Sequence, residues 1–495
     1  MMFEPRKLHP ISALINFVKT LKDAALPLIV VIFINGSPFS GDWNWVPLAI
    51  WGGLLVIVLG SGVIRWLRFS YWMEDGELRI EYGLIFRKKR YIPVERIQSL
   101  DFSEGIFHRP LKLVKVSVET AGATGTQGAE AELTAITREE AKELETLIFQ
   151  QKRAAQEEET VEENAGEQPV EPPRQKVFGM TMKDLVLMAV TSGGAGVVIS
   201  GVAVFFSQFM DILPVGAIYE ELLDWIQIGV LMVAVTVLFV LLIAYGISIL
   251  LTIMRYAYFS VYLEEEDLII TRGWLEKKQM TIPLNRIQGV RIDENLIRQP
   301  MGYASVTIIS AGGSIMKNDE HQLKLLPMIR KKEIEAVLQM ILEDYQVAGD
   351  FKQPPARSKY RYMIRQSWLG VLAAIPISIY FYPYGLLAVP AVAALAGFGL
   401  LAYKDAGWTI DGTQLSLRSR NIIKQTYLMK RFRIQAASKK QTLLQKRSGL
   451  STIQVTLTSG GGGAVARCYY LEEKDTDSVM GWYIDAVANQ KPVEK

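Results

Sequence analysis

The chain has 495 residues, 50% of them hydrophobic, a formal net charge of +3 and a mean hydropathy of +0.18. That length suggests about three or four domains, and the positive hydropathy asks for membrane spans. The single cysteine, Cys468, and the widely separated His9, His108 and His321 exclude a disulfide framework and a cysteine-rich zinc site, and leave little for metal or acid–base chemistry.

In chain order, residues 11–64 read as a first transmembrane hairpin, with apolar segments at 25–34 and 45–64 and an amphipathic lead-in at 11–24. Lys19, Lys22 and Asp23 interrupt the apolar run, so a signal peptide is not expected. Residues 65–151 read as a small β-rich domain. Glu77-Leu78-Arg79-Ile80-Glu81-Tyr82 alternates with period two, the signal of a half-buried strand. Gly83 opens a turn, the basic run Arg87-Lys88-Lys89-Arg90 follows, and the next strand contains Ile92-Pro93. Further alternation comes at 114–118 and 133–136. Thr137 with Glu140 forms a capping box, and Ala141, Leu144, Leu147 and Ile148 share one helix face.

Residues 152–178 form an acidic, Pro-containing linker with too little apolar surface to fold. A second hairpin occupies 183–254, with apolar segments at 185–210 and 225–253. Ser192, Gly196 and Ser200 make a small-residue stripe suited to close helix packing. A second β-rich domain spans 255–345, and a linker with Pro354-Pro355 spans 346–360. The third hairpin, 366–403, joins 368–382 to 386–403 through a short turn and contains Pro376, Pro383 and Pro390. A third domain occupies 404–490, its helix following Asp475-Thr476-Asp477-Ser478. The expectation is an α+β membrane protein of six spans, each hairpin followed by a small sheet domain with a C-terminal helix.

Lys and Arg are absent from the short loops within the hairpins, whereas Arg6, Lys7, Arg65, Arg68, Lys183, Arg255, Arg361, Arg365 and Lys404 flank the opposite ends. This asymmetry puts both termini and all three domains on the cytoplasmic side. The apolar segments carry no charged residue, which weighs against an ion-coupled transporter.

The domains are copies of one another. Arg96-Ile97-Gln98, Arg286-Ile287-Gln288 and Arg433-Ile434-Gln435 each follow a strand leucine, Leu78, Leu268 or Leu415, at one common spacing. The isoleucines read as core. In a strand, the Arg and Gln would share the other face, where the Arg pairs with a carboxylate or backbone carbonyls, or binds a peptide carboxylate or lipid phosphate.

Basic clusters carry the interaction signal: Arg87, Lys88, Lys89 and Arg90 in the first copy, Lys277 and Lys278 in the second, and Lys430, Arg431, Arg433, Lys439 and Lys440 in the much more basic third. Two readings stand: contact with the anionic inner leaflet, or strand edges kept from aggregating by lysine. Nothing resembling a recognition helix or interleaved aromatics accompanies the charge, so no nucleic acid is expected. Gly460–Gly463 lacks the following Lys and Ser/Thr of a phosphate loop, and no catalytic set, metal site or cofactor is expected.

Ile92-Pro93-Val94-Glu95-Arg96-Ile97-Gln98, Ile282-Pro283-Leu284-Asn285-Arg286-Ile287-Gln288, and Arg109-Pro110 with Gln299-Pro300 resemble the bacterial pleckstrin-homology-like domain family, in its multi-pass membrane form known from Bacillus-like bacteria. The third copy departs from the pattern, with Met429-Lys430 for Ile-Pro and Arg420 at the position of Gly83 and Gly273. The resemblance implies a non-enzymatic envelope scaffold, a smaller one-repeat relative as partner, and a link to envelope stress or membrane-active peptides. The alternative is an exporter or permease component with regulatory domains.

Overall fold

A computed structural model describes residues 4–18, 52–53, 56, 60, 62–83, 86–120, 131–157, 174–192, 230–311, 323–347, 349–382, 384–459 and 463–489. The first module contains β1 (Ser70–Glu74), β2 (Glu77–Tyr82), β3 (Lys88–Pro93), β4 (Ile97–Glu104), β5 (Leu113–Thr120), β6 (Ala131–Thr137) and α1 (Arg138–Glu157). The second contains β7 (Gln175–Gly179), α2 (Met182–Thr191), α3 (Val230–Tyr256), β8 (Ser260–Glu264), β9 (Asp267–Arg272), β10 (Lys277–Pro283), β11 (Ile287–Glu294), β12 (Tyr303–Ser310), β13 (Leu323–Arg330) and α4 (Ile334–Ile341). The third contains α5 (Lys359–Tyr380), α6 (Ala388–Asp405), β14 (Gly407–Asp411), β15 (Gln414–Arg420), β16 (Lys424–Lys430), β17 (Ile434–Lys440), α7 (Leu443–Lys446), β18 (Leu450–Leu457), β19 (Ala464–Glu472) and α8 (Glu473–Asn489).

Within each module, three antiparallel strands directly precede the Arg-Ile-Gln, with β7 a fourth in the second module, three follow it, and a helix closes the core. In the first, Leu78, Ile92, Ile97, Val116 and Leu133 meet Leu144 and Ile148 of α1. Alternation of apolar and polar residues places one face of each strand inward. The Thr137 and Glu140 capping box opens α1 as read from the sequence.

Two features were not expected. First, the sheets do not stop at module boundaries. β10 pairs with β4, giving one sheet in the order β6-β5-β4-β10-β9-β8-β7, and β16 pairs with β11, giving β13-β12-β11-β16-β15-β14. The later half of each module thus continues into the earlier half of the next. Second, a segment well upstream of β1, β8 and β14 joins each module: Arg6 bridges Tyr71, β7 pairs with β8, and Lys352 bridges Trp408.

The six-span expectation is corrected. Among the described residues one helix, Gly385–Asp405, is long and apolar enough to cross a membrane, and Leu241–Tyr256 is a shorter apolar stretch. In α5, Lys359, Arg361 and Arg365 fill the first turns. The apolar remainder from Trp368 rises only about 20 Å at ~1.5 Å per residue, against a hydrocarbon core of about 30 Å. The segments at 25–34, 45–64 and 185–210 lie wholly or largely outside the described residues, as do Gly196 and Ser200. Ser192 caps α2, its hydroxyl donating to the Ala189 carbonyl.

Candidate functional site

Arg-Ile-Gln is not a strand tripeptide. Arg96, Arg286 and Arg433 end short 3-10 turns, and the isoleucines start β4, β11 and β17 with their side chains buried. Each ladder then skips the glutamine: register shifts fall between Ile97 and Ser99, Ile287 and Gly289, and Ile434 and Ala436. The motif is a turn followed by a β-bulge, which re-aims the strand toward the second sheet. Arg and Gln therefore do not share a strand face.

The junctions between modules gather the charged residues. At the first, Lys277 stands opposite Glu104, Lys278 opposite Ser103 and Gln279 opposite Phe102. Arg109 donates to the carbonyl of Trp274 in the next module. Asp101 and Glu119 lie on the same side, and burial raises both carboxyl pKa values. Lys278 opposes this shift at Asp101, while the Ser99 hydroxyl, 2.9 Å from Glu119, and the Arg286 guanidinium oppose it at Glu119. One copy's tripeptide arginine thus faces a carboxylate of the preceding module.

At the second junction the register is the same and longer, from Gly289 opposite Met429 to Glu294 opposite Lys424. Lys424 Nζ is 3.0 Å from Glu294 Oε1. Arg420 Nε is 2.5 Å from Asp405 Oδ2, and Arg420 also donates to Gln299. Asp405 is the last residue of α6, so the end of the apolar helix is tied to the seam. Four charges withdrawn from water must be mutually paired to be tolerated.

Arg420 explains the divergent turn. Gly83 and Gly273 adopt φ of +138° and +103°, and a Cβ at either would lie 2.0 Å from the carbonyl oxygen of Phe86 or Glu276. A side chain cannot enter that turn. With Arg420 there, the ladder extends by one pair, Arg420 opposite Lys424.

The basic residues singled out from sequence do not form one surface. Lys430 is buried, donating to the Asp344 carbonyl with its ammonium 5.3 Å from the Tyr345 ring. Arg431 lies over Trp482, and Arg433 over Phe432. Lys439 pairs with Glu473 at 3.1 Å and Asp477 at 2.6 Å, while Lys440 is exposed. Lys89 and Arg87 pair with Glu81, Lys88 is exposed, and Arg90 lies 6.0 Å from the Tyr82 ring. Arg90 also lines a cavity of about 370 Å³ with Arg65, Trp66 and Tyr82. Lys278 pairs with Glu276, and Lys277 is exposed beside the first seam.

Sequence reasoning missed Glu104, Glu294, Asp405 and Gln299. A signal existed: the strand after the tripeptide ends in Glu in the first two copies and in Lys439-Lys440 in the third.

The loop after that strand also repeats a property. It exposes Ile106, Phe107 and Leu111 in the first module, Ile297 and Met301 in the second, and Leu443 and Leu444 in the third. The last two adjoin Lys446 and Arg447. Two of the loops are tied to apolar helices. Arg298 donates to Thr191 and to the Met188 carbonyl of α2, and Arg361 of α5 donates to the Leu444 carbonyl at 2.8 Å.

The chain matches the bacterial PH domain family at residues 24–152, 212–345 and 367–487. It is 36% identical over 493 residues to the UPF0699 transmembrane protein YdbT of Bacillus subtilis, covering 98% of this chain and 99% of that one. No solved structure matches it.

Proposed function

The chain belongs to the bacterial PH domain family, and from that premise we propose that it is a non-enzymatic membrane scaffold, its modules held in one array against the cytoplasmic face of the cell membrane. The repeated apolar loop tip carries this reading. Soluble surfaces do not ordinarily present large apolar side chains at one place in three successive copies. The second and third tips adjoin α2 and α5, and the outer faces of α5 and α6 expose Leu369, Leu372, Ile375, Ile379 and Val389. Leu443 and Leu444 beside Lys446 and Arg447 make an apolar wedge with a basic rim, suited to an anionic leaflet. The basic residues flanking the apolar segments support the cytoplasmic placement. A rigid inner-face array fits a part in envelope stress or in resistance to membrane-active peptides.

The test places an environment-sensitive fluorophore on Leu444→Cys, and on the exposed control Lys474→Cys, in the full chain in anionic nanodiscs. Emission at Leu444→Cys should shift to the blue and be quenched by spin-labelled lipid, while Lys474→Cys reads as water. Equal aqueous emission from both sites would defeat the membrane-contact reading.

A further inference from the structure

We propose that the outer edge of β3 is a docking edge for another polypeptide's bacterial PH-type module, received through a strand equivalent to β4 and β11 that ends in an acidic residue.

The argument is internal to the chain. β10 receives β4 and β16 receives β11 in a common register. β3 is the third equivalent strand, and among the described residues nothing pairs with its outer edge. Exposure follows the presence of a neighbour. Leu428 of β16 is 0% exposed and Thr281 of β10 is 5% exposed, whereas the equivalent Tyr91 is 51% exposed. Thr426 is buried and Gln279 half-buried, while the equivalent Lys89 is exposed. Phe86, at the entry to the same edge, is exposed as well. An unpaired strand with apolar side chains at its rim is a template for strand addition.

Charge selects the occupant. In both seams the basic start of the receiving strand faces the acidic end of the incoming one: Lys277 faces Glu104, and Lys424 faces Glu294. β3 is preceded by Arg87 and begins with Lys88 and Lys89, so it keeps the receiving pattern. A second copy does not supply the complement. β17 is an edge strand of the third module, but the shared register would set Lys440 opposite Lys88 and Lys439 opposite Lys89. Like charges directly opposed across a ladder are destabilising. The array is thus open at β3 to a foreign acidic-ended strand and guarded at β17 against copies of itself, which would otherwise add head to tail without closing.

The inference rests on the scaffold reading for its biological sense, yet the two fail separately, because the fluorophore assay does not report on β3. The test converts β17 into the missing complement with Lys439→Ile, Lys440→Asp and Gln441→Glu in the full detergent-solubilised chain, with mass followed by light scattering. The variant should show a concentration-dependent rise in mass that Lys88→Glu with Lys89→Glu abolishes, while the unaltered chain shows none. A milder variant, Lys440→Glu alone, should move the same way and guards against misfolding of the triple one. A folded triple variant with unchanged mass would overturn the proposal. So would association of the unaltered chain that Lys88→Glu with Lys89→Glu dissolves, since the occupant would then be a second copy. In native membranes, a photo-crosslinker at Tyr91 should join an acidic-ended strand of such a module on another polypeptide; adducts to lipid alone would count against it.

Discussion

Lys424 Nζ lies 3.0 Å from Glu294 Oε1, and the two side chains are only 7% and 6% exposed. This pair closes the seam between the second and third modules, with Lys331 a second, more exposed partner of Glu294 at 3.4 Å. Removing one member of a buried pair strands the other. Lys424→Met should therefore destabilise the chain by up to about 3–5 kcal/mol, moderated by Lys331. The double change Lys424→Met with Glu294→Leu should recover much of the loss. Denaturant unfolding in detergent measures both, and a double variant no more stable than the single one would refute this account of the seam.

At the first seam the sign is opposite. Burial raises the carboxyl pKa values of Asp101 and Glu119 above their unfolded values. A raised carboxyl favours the fold in its protonated form, so that contribution is complete below the unfolded pKa of about 4. It is lost as pH rises through the higher folded values. Asp101→Asn should accordingly stabilise the chain near neutral pH and flatten its stability between mildly acidic and neutral buffer. Unfolding midpoints at several pH values would show this, and a neutral-pH loss of stability would contradict it.

Gly273→Ala should cost about 1–3 kcal/mol as a strained left-handed residue, and more if the 2.0 Å contact with the Glu276 carbonyl forces the turn open. Gly349, at which a Cβ would meet nothing within 4 Å, provides the comparison: Gly349→Ala should be near neutral in the same thermal melt.

Cys468 is fully buried in the third module's core, and burial pushes its thiol up to about 12. Only the thiolate reacts readily. Maleimide at neutral pH should modify the folded chain slowly and the unfolded chain at the rate of a free thiol. Rapid labelling under native conditions would show that this core opens easily.

Much of the fold was legible because strands announce themselves by alternation. Leu78-Arg79-Ile80 could only be half-buried, and Thr137 with Glu140 marked a helix start. The seams were harder to read, because a strand looks alike whether its edge meets water or another strand. What separates the cases is a pairing between distant residues, Lys277 with Glu104 and Lys424 with Glu294, which becomes visible only once the register is known. The polybasic third module misled for a related reason. Counting charge does not distinguish Lys440, which faces solvent, from Arg420 and Lys430, which are buried. Six spans were expected from apolar content alone. The arginines of α5 prove to be docking groups: Arg361 reaches Leu444, and Arg365 reaches Asn421.

The bridge between Arg6 and Tyr71, with its counterparts at β7–β8 and Lys352–Trp408, bears on how the protein is made. Each module begins with a segment synthesised well before the rest of its sheet and ends with strands synthesised after it. On the ribosome the first piece must wait, unpaired, while the intervening stretch is made. Completion of each sheet then brings the two ends of that stretch together. Folding is thereby ordered in time, and no module can close before the stretch it encloses has been delivered.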